Sequence, residues 1–258
     1  LQNILKRLTL LSPTSPAQAA PTEQSGGSAS AQAELSPSSS AAVTSALPSA
    51  NVGASSWEAM VATHLAEPAV EQDYRQLAER MLENCPSGVA QNILLTSVGC
   101  PAEETLGRLG WTLAEIRGPV LMLDANRART SLTIQLQRTG AAGLEELLRG
   151  EAAAALPTTR EKLFLLPAGN RAADSNAAEL TALAAALAKW RGEFPLVLID
   201  GGDALSEAAT LLSRLCDATY MLVGLGAATT DSAREATRRF RAAGGRLLGC
   251  IAVESAAV

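Results

Sequence analysis

Downstream of residue 90, six short apolar runs punctuate the chain, at 92–97, 119–124, 162–166, 195–200, 219–225 and 246–253. Within them aliphatic side chains follow one another with few polar breaks. That marks strands buried on both faces; half-exposed strands would alternate. Helical stretches are read between them, near 104–117, 143–149, 176–192, 204–216 and 229–243. Upstream, Tyr74, Leu77, Ala78, Met81 and Leu82 recur at helical spacing and predict an amphipathic helix over 71–83, stopped by Cys85-Pro86-Ser87-Gly88. Strands alternating with helices predict an α/β fold, a doubly wound, mostly parallel sheet with helices on both faces. Ligands of such sheets bind beyond the carboxyl ends of the strands, so candidate chemistry is sought there.

The first quarter of the chain reads differently. Ile4, Leu5, Leu8 and Leu11 predict a short amphipathic helix over 1–11. Residues 12–56 are Ser, Ala, Pro, Thr and Gly with almost no large apolar side chains, a composition that cannot offset its ordering entropy and predicts a disordered linker. The folded domain is assigned to 57–258. Composition narrows the function classes. A net charge of -5 gives no basic footprint for nucleic acid. No apolar run reaches the roughly 18 residues of a membrane span, and the apolar stretch behind Lys6-Arg7 is too short for a signal peptide. Cys85, Cys100, Cys216 and Cys250 form no CxxC pair and read as reduced thiols of a cytosolic protein. With His64 as the single histidine, the sequence argues against a zinc site or a Ser-His-Asp triad.

Three strand ends carry the candidate chemistry. Asn92 to Thr105 reads as strand, loop and helix start, the layout of a phosphate-binding loop GxxxxGK[ST]. In working loops glycine admits close backbone approach, N–H groups cradle phosphates and a lysine reaches the outer oxygens. Here Gly99 lies in the loop, Thr105 stands at the magnesium-binding hydroxyl, and Glu103 and Glu104 stand where glycine and lysine belong. An acid in place of the lysine turns attraction into repulsion, with each unit-charge interaction worth about 4 kcal/mol at ~4 Å and an effective dielectric of ~20. The plainer reading makes both glutamates first-turn acids that complement the helix dipole. The second strand ends in Asp124 and the fourth in Asp200, the latter after Leu196-Val197-Leu198-Ile199 in the form of a Walker B strand that holds magnesium. Each also reads as an ordinary strand-ending acid or cap. Trp57, Trp111, Trp190 and Tyr220 read as packing residues. Arg234, Arg238, Arg239 and Arg241 read as a solvated helix face, with a binding stripe as the alternative.

Taken in order, these landmarks resemble the bacterial tyrosine kinases of capsule and exopolysaccharide synthesis, within the MinD/ParA-like P-loop ATPases. The resemblance runs from Tyr74 to Val253 through Tyr74-Arg75-Gln76-Leu77, Ile93 to Ser97, Val120 to Leu132, Gly143 to Ala152, Leu166-Pro167-Ala168-Gly169-Asn170, Asn176 to Leu180, Leu196 to Asp200 and Gly244 to Val253. It implies that Asp124 is the acid of the second Walker-type motif, a base and magnesium partner, that Asp200 is the Walker B acid, and that Thr105 is the loop hydroxyl. ATP and Mg2+ are the cofactors so implied, with Gly99, Glu103, Glu104 and Thr105 forming the nucleotide loop and Thr105, Asp124 and Asp200 the metal set. The departures are specific. Glu104 replaces the lysine and Glu103 a glycine. Asn126 stands where a second Asp is usual, and Gly201-Gly202 replaces a proline pair. Of the Glu and two Arg of the family's oligomerising helix only Arg75 remains, beside Gln72 and Ala78. No tyrosine cluster follows Val253; the two tyrosines are Tyr74 and Tyr220. The expectation is a degenerate member with lost or weak ATP binding, a regulatory or scaffolding subunit docked on an inner-membrane polysaccharide chain-length or export protein, cytoplasmic or peripheral at that membrane. An active ATPase or tyrosine kinase with a non-standard loop, and a ParA-like positioning ATPase working as a homo-oligomer, are the rival readings.

Overall fold

A single sheet organises the computed structural model, which describes residues 8–11, 68–85, 89–129, 131–170 and 177–254. Its strands are β1 (Leu8–Leu11), β2 (Gln91–Val98), β3 (Val120–Asp124), β4 (Leu156–Pro157), β5 (Leu163–Leu166), β6 (Leu196–Asp203), β7 (Ala218–Leu225) and β8 (Leu247–Glu254). They lie in the order β1-β8-β7-β2-β6-β3-β5-β4. The six strands read from the apolar runs are all present and all pair in parallel. The two edge strands run antiparallel, β1 on β8 and β4 on β5. The helices are α1 (Pro68–Glu83), α2 (Glu103–Arg117), α3 (Ser131–Gln135), α4 (Leu144–Leu148), α5 (Ala177–Trp190), α6 (Glu207–Ser213) and α7 (Thr230–Ala242).

Continuous apolar strands follow from this layering. Along β2, Ile93 and Leu95 enter one core with Tyr74, Leu77 and Met81 of α1 and Leu106, Leu109 and Leu113 of α2. Leu94 enters the opposite core with Leu183 and Leu187 of α5 and Leu212 of α6. Trp190 and Phe194 close that second core, where Phe194 meets Phe164 edge-on at 5.4 Å. A third cluster seats Ala236 and Phe240 of α7 on Met221 of β7. Tyr220 is buried as its strand position predicts.

One expectation is corrected. Leu8–Leu11 is strand, not helix. Pairing with the free edge of β8, from Leu8 opposite Val253 to Leu11 opposite Cys250, gives this short segment partners for its backbone that an isolated turn of helix would not supply. Residues 1–7, the linker expectation at 12–56 and Trp57 and His64 lie outside the described residues.

Candidate functional site

At the carboxyl end of the sheet Asp124 and Asp200 stand opposite each other in the β3–β6 register. Both are fully buried. Three hydrogen bonds from two residues occupy the Asp124 carboxylate. The backbone N–H and the hydroxyl of Thr133 donate to Oδ2 at 2.8 and 2.7 Å, and the N–H of Asn126 donates to Oδ1 at 3.2 Å. Thr133 Oγ1 also accepts from the N–H of Ala168 at 2.8 Å. Asp124 thus ties the end of β3 to α3 and to the strand exit after β5. Burial pushes its carboxyl above the ordinary aspartate value; the Thr133 and Asn126 hydrogen bonds oppose that rise, and the neighbouring charge of Glu103 adds to it.

Asp200 accepts at Oδ1 from the N–H of Gly202 at 2.9 Å, and its carbonyl accepts from the N–H of Ala125 at 3.0 Å. The Gly201-Gly202 pair has a steric reason. Gly202 has φ +66°, and a Cβ there would meet Asn126 Oδ1 at 2.7 Å. Asn126 therefore packs flat on Gly202, linking the two acid-bearing strand ends.

The loop between β2 and α2 is seated on the turn before α7. Gly99 has φ +69°, and an added Cβ would lie 2.5 Å from the backbone nitrogen of Ala228. From the other side, a Cβ on Gly224 would lie 2.4 Å from the carbonyl oxygen of Gly99. Helix α2 then starts at Glu103, with Ala102 at its N-cap and no side-chain cap. Glu103 and Glu104 occupy the first turn, where their charge complements the uncapped N–H groups. Glu104 reaches one turn down its own helix to Arg108, Nη2 to Oε1 2.6 Å. The Arg108 guanidinium is itself buried and lies over the Tyr74 ring, 5.6 Å from its centre. Thr105 is fully buried beside Tyr74; the two hydroxyls adjoin without a well-formed hydrogen bond.

Sequence reasoning placed Asp124, Asp200 and the loop of Gly99, Glu103, Glu104 and Thr105 together at one end of the sheet, and the strand ends do converge there. The side-chain orientations were not legible. The carboxylate of Glu104, expected at the place of a lysine, pairs with Arg108 of its own helix. The hydroxyl of Thr105, expected to face a metal, lies beside Tyr74 of α1. Among the described residues no cluster of three or more His, Cys, Asp or Glu side chains is arranged to hold a metal.

Two groups escaped the sequence reading. Thr133 is one. The other is an ion-pair network around Arg127, whose Nε and Nη2 donate to Glu145 at 2.6 and 3.0 Å and whose Nη1 donates to Glu179 at 3.0 Å. Burial disfavours the Arg127 cation, but the two carboxylates outweigh it and hold the guanidinium pKa above its usual value. The cluster roofs an apolar cavity of about 40 Å³ against Ala125, Leu144, Leu183 and Leu212, a volume suited to a water molecule or two and not to a nucleotide. A signal existed: Glu145 sits in a short helix among leucines, and a buried acid needs a cation.

No protein-family model matches the chain, and no curated protein matches it. Solved structures do. The kinase domain of the Escherichia coli tyrosine kinase ETK superposes with a TM-score of 0.60 at 17% identity, over 72% of this chain and 77% of that one. The BceF tyrosine kinase domain gives 0.60 at 22% identity, over 78% and 90%. Cobyrinic acid a,c-diamide synthase from Mycobacterium smegmatis, solved with an ATP analogue and magnesium, gives 0.54 at 23% identity, over 63% and 75%. The chain has the P-loop NTPase-like fold of these tyrosine kinase domains.

Proposed function

We propose that this protein is a nucleotide-impaired relative of the bacterial tyrosine kinases, a regulatory or scaffolding subunit of exopolysaccharide assembly that docks on an inner-membrane chain-length or export protein. The observation that carries the reading is the Glu104–Arg108 pair. Where the kinase-like loop calls for a cation that reaches outward to phosphate, the chain has an anion turned back onto its own helix. Thr105 and Asp124 support it, since the hydroxyl faces Tyr74 and both oxygens of the carboxylate already accept from Thr133 and Asn126. The sheet and the seat of the loop on the α7 turn are intact, which keeps a folded surface for docking. No helix among the described residues is long and apolar enough to cross a membrane, so attachment at the membrane is assigned to the partner.

Calorimetric titration of the full chain with ATP and magnesium tests this. The expected result is no saturable binding below millimolar nucleotide. Micromolar binding with turnover would overturn the reading in favour of the second, an active ATPase or kinase. One observation favours that second reading: Asp124 and Asp200 are both retained and paired in register.

A further inference from the structure

The arginine stripe of α7 borders an open groove. Arg234, Arg238 and Arg241 recur at helical spacing and are all exposed, while Ala236 and Phe240 on the buried side of the same helix seat it on Met221 of β7. The next strand, β8, lies inside the sheet between β7 and β1, yet its Cys250 stays half-buried, so the sheet face beside α7 is open there. The result is a groove of about 730 Å³, lined by Met221, Ala233 and Cys250 together with the three arginines. Arg238 is paired with Glu235. Arg234 and Arg241 have no ion-pair partner among the described residues. The groove therefore offers an apolar floor with an uncompensated cationic rim.

Charge and shape select the occupant. Arg234 and Arg241 sit two helical turns apart, about 10 Å along the axis at ~1.5 Å per residue. A single phosphate group cannot meet both. Two carboxylates one heptad apart on a second helix have the same spacing. A flat bilayer would touch the rim and leave the apolar floor in water. A two-fold contact between copies of this chain would set the stripe against itself, arginine on arginine. We propose that the groove between α7 and β8 receives an amphipathic helix of a partner protein, its apolar stripe on the floor and two flanking carboxylates, one heptad apart, on Arg234 and Arg241. The groove is lined by no residue of the 99–105 loop, so this contact stands independently of whether that loop binds nucleotide.

The test titrates the full chain with a dye-labelled, end-capped helical peptide of fourteen residues, read by fluorescence anisotropy. The peptide is built on alanine and glutamine, with leucine at its third, sixth, seventh and tenth positions and glutamate at its second and ninth. A control peptide carries lysine at those last two positions. The expected result is saturable binding of the glutamate peptide, about tenfold tighter than that of the lysine peptide. The chain with Arg234→Glu and Arg241→Glu, both on the exposed face of α7, reverses the preference. Hydrogen exchange of the complex gains protection on α7 and β8. Should the double variant not fold, the two peptides on the unaltered chain and the exchange map still decide. Absence of saturable binding up to millimolar peptide, equal affinity for the two peptides, or protection on another surface would overturn the assignment. So would sedimentation of the unaltered chain, but not of the double variant, with phosphatidylglycerol vesicles while the glutamate peptide is not preferred, which would give the rim to an anionic lipid surface instead.

Discussion

Two buried charges at the loop and strand end determine how single substitutions behave. The Arg108 side chain is 7% exposed and that of Glu104 28%. Removing the carboxylate with Glu104→Gln leaves a guanidinium that is already without a partner at Nε facing a neutral amide. A loss of about 1–3 kcal/mol is expected in urea denaturation, at the lower end of what burial would allow because Glu104 is partly solvated. Adding Arg108→Met should restore most of that loss, since an apolar side chain then replaces an orphaned charge; losses that simply add would show that the pair is not coupled. Asp124 makes a pH-dependent contribution of the opposite sign to a surface carboxylate. Its folded-state pKa is raised above the usual value near 3.8, so the folded chain holds this proton longer than the unfolded chain does. Stability from this group therefore falls as pH rises from the ordinary aspartate range through the raised value, and is flat above it. Thr133→Val removes a hydrogen bond that opposes the rise and leaves the Ala168 N–H without its acceptor. It should cost about 1–3 kcal/mol at neutral pH and move the pH-dependent window upward, both read from urea midpoints across pH.

Among the elements, legibility follows how much of the cause is local. Val120–Asp124 could be read as a two-sided strand because five consecutive residues are buried, a pattern a one-sided strand cannot show. The five residues of α3 and the two of β4 are too short to express a period, and β4 exists only through its pairing with β5. Leu8–Leu11 shows the same limit, since its partner strand lies at the far end of the sequence. At the site, the acids at the strand ends were legible as positions. Arg108 as the partner of Glu104 was in principle legible too, because an i,i+4 pair is a local relation. For the Arg127 network only the need of Glu145 for a cation was legible; its partner was not, since the network joins a loop to α4 and α5 across 18 and 52 residues. Nor was the fit of the loop onto the α7 turn, which is a contact between backbones. Gly99→Ala tests that fit. The new Cβ would meet backbone atoms of Ala227 and Ala228 at 2.5–2.9 Å, and the residue must also keep φ +69°. A destabilisation of about 1–3 kcal/mol is expected, with lost hydrogen-exchange protection centred on the start of α7. An alanine variant as stable as the parent would mean that the loop does not rest there.

The molecule as a whole also bears on phosphoryl chemistry, through what it hides. Its tyrosines are Tyr74 and Tyr220. Tyr74 is 1% exposed and Tyr220 0%. Burial pushes both phenols up to about 12, and Tyr220 donates to the carbonyl of Met81, so each hydroxyl belongs to the packing of α1 against α2 and the sheet. A kinase needs the phenol extended into its own active site. Here that requires α1 to lift off a core it shares with β2, β7 and α2, an opening close to global unfolding. For a domain of ordinary stability, about 5–15 kcal/mol, the exposed fraction is on the order of one in several thousand or less, at a tenfold change per 1.4 kcal/mol. Incubated with an active tyrosine kinase and labelled ATP, the native chain should therefore take up no stoichiometric label. Peptides released by digestion of the denatured chain should be labelled under the same conditions, which shows that the sequences themselves are not the obstacle. Stoichiometric phosphate on either tyrosine of the native protein would mean that α1 detaches readily, and the shared core of α1, α2 and the sheet would then not be the stable unit described above.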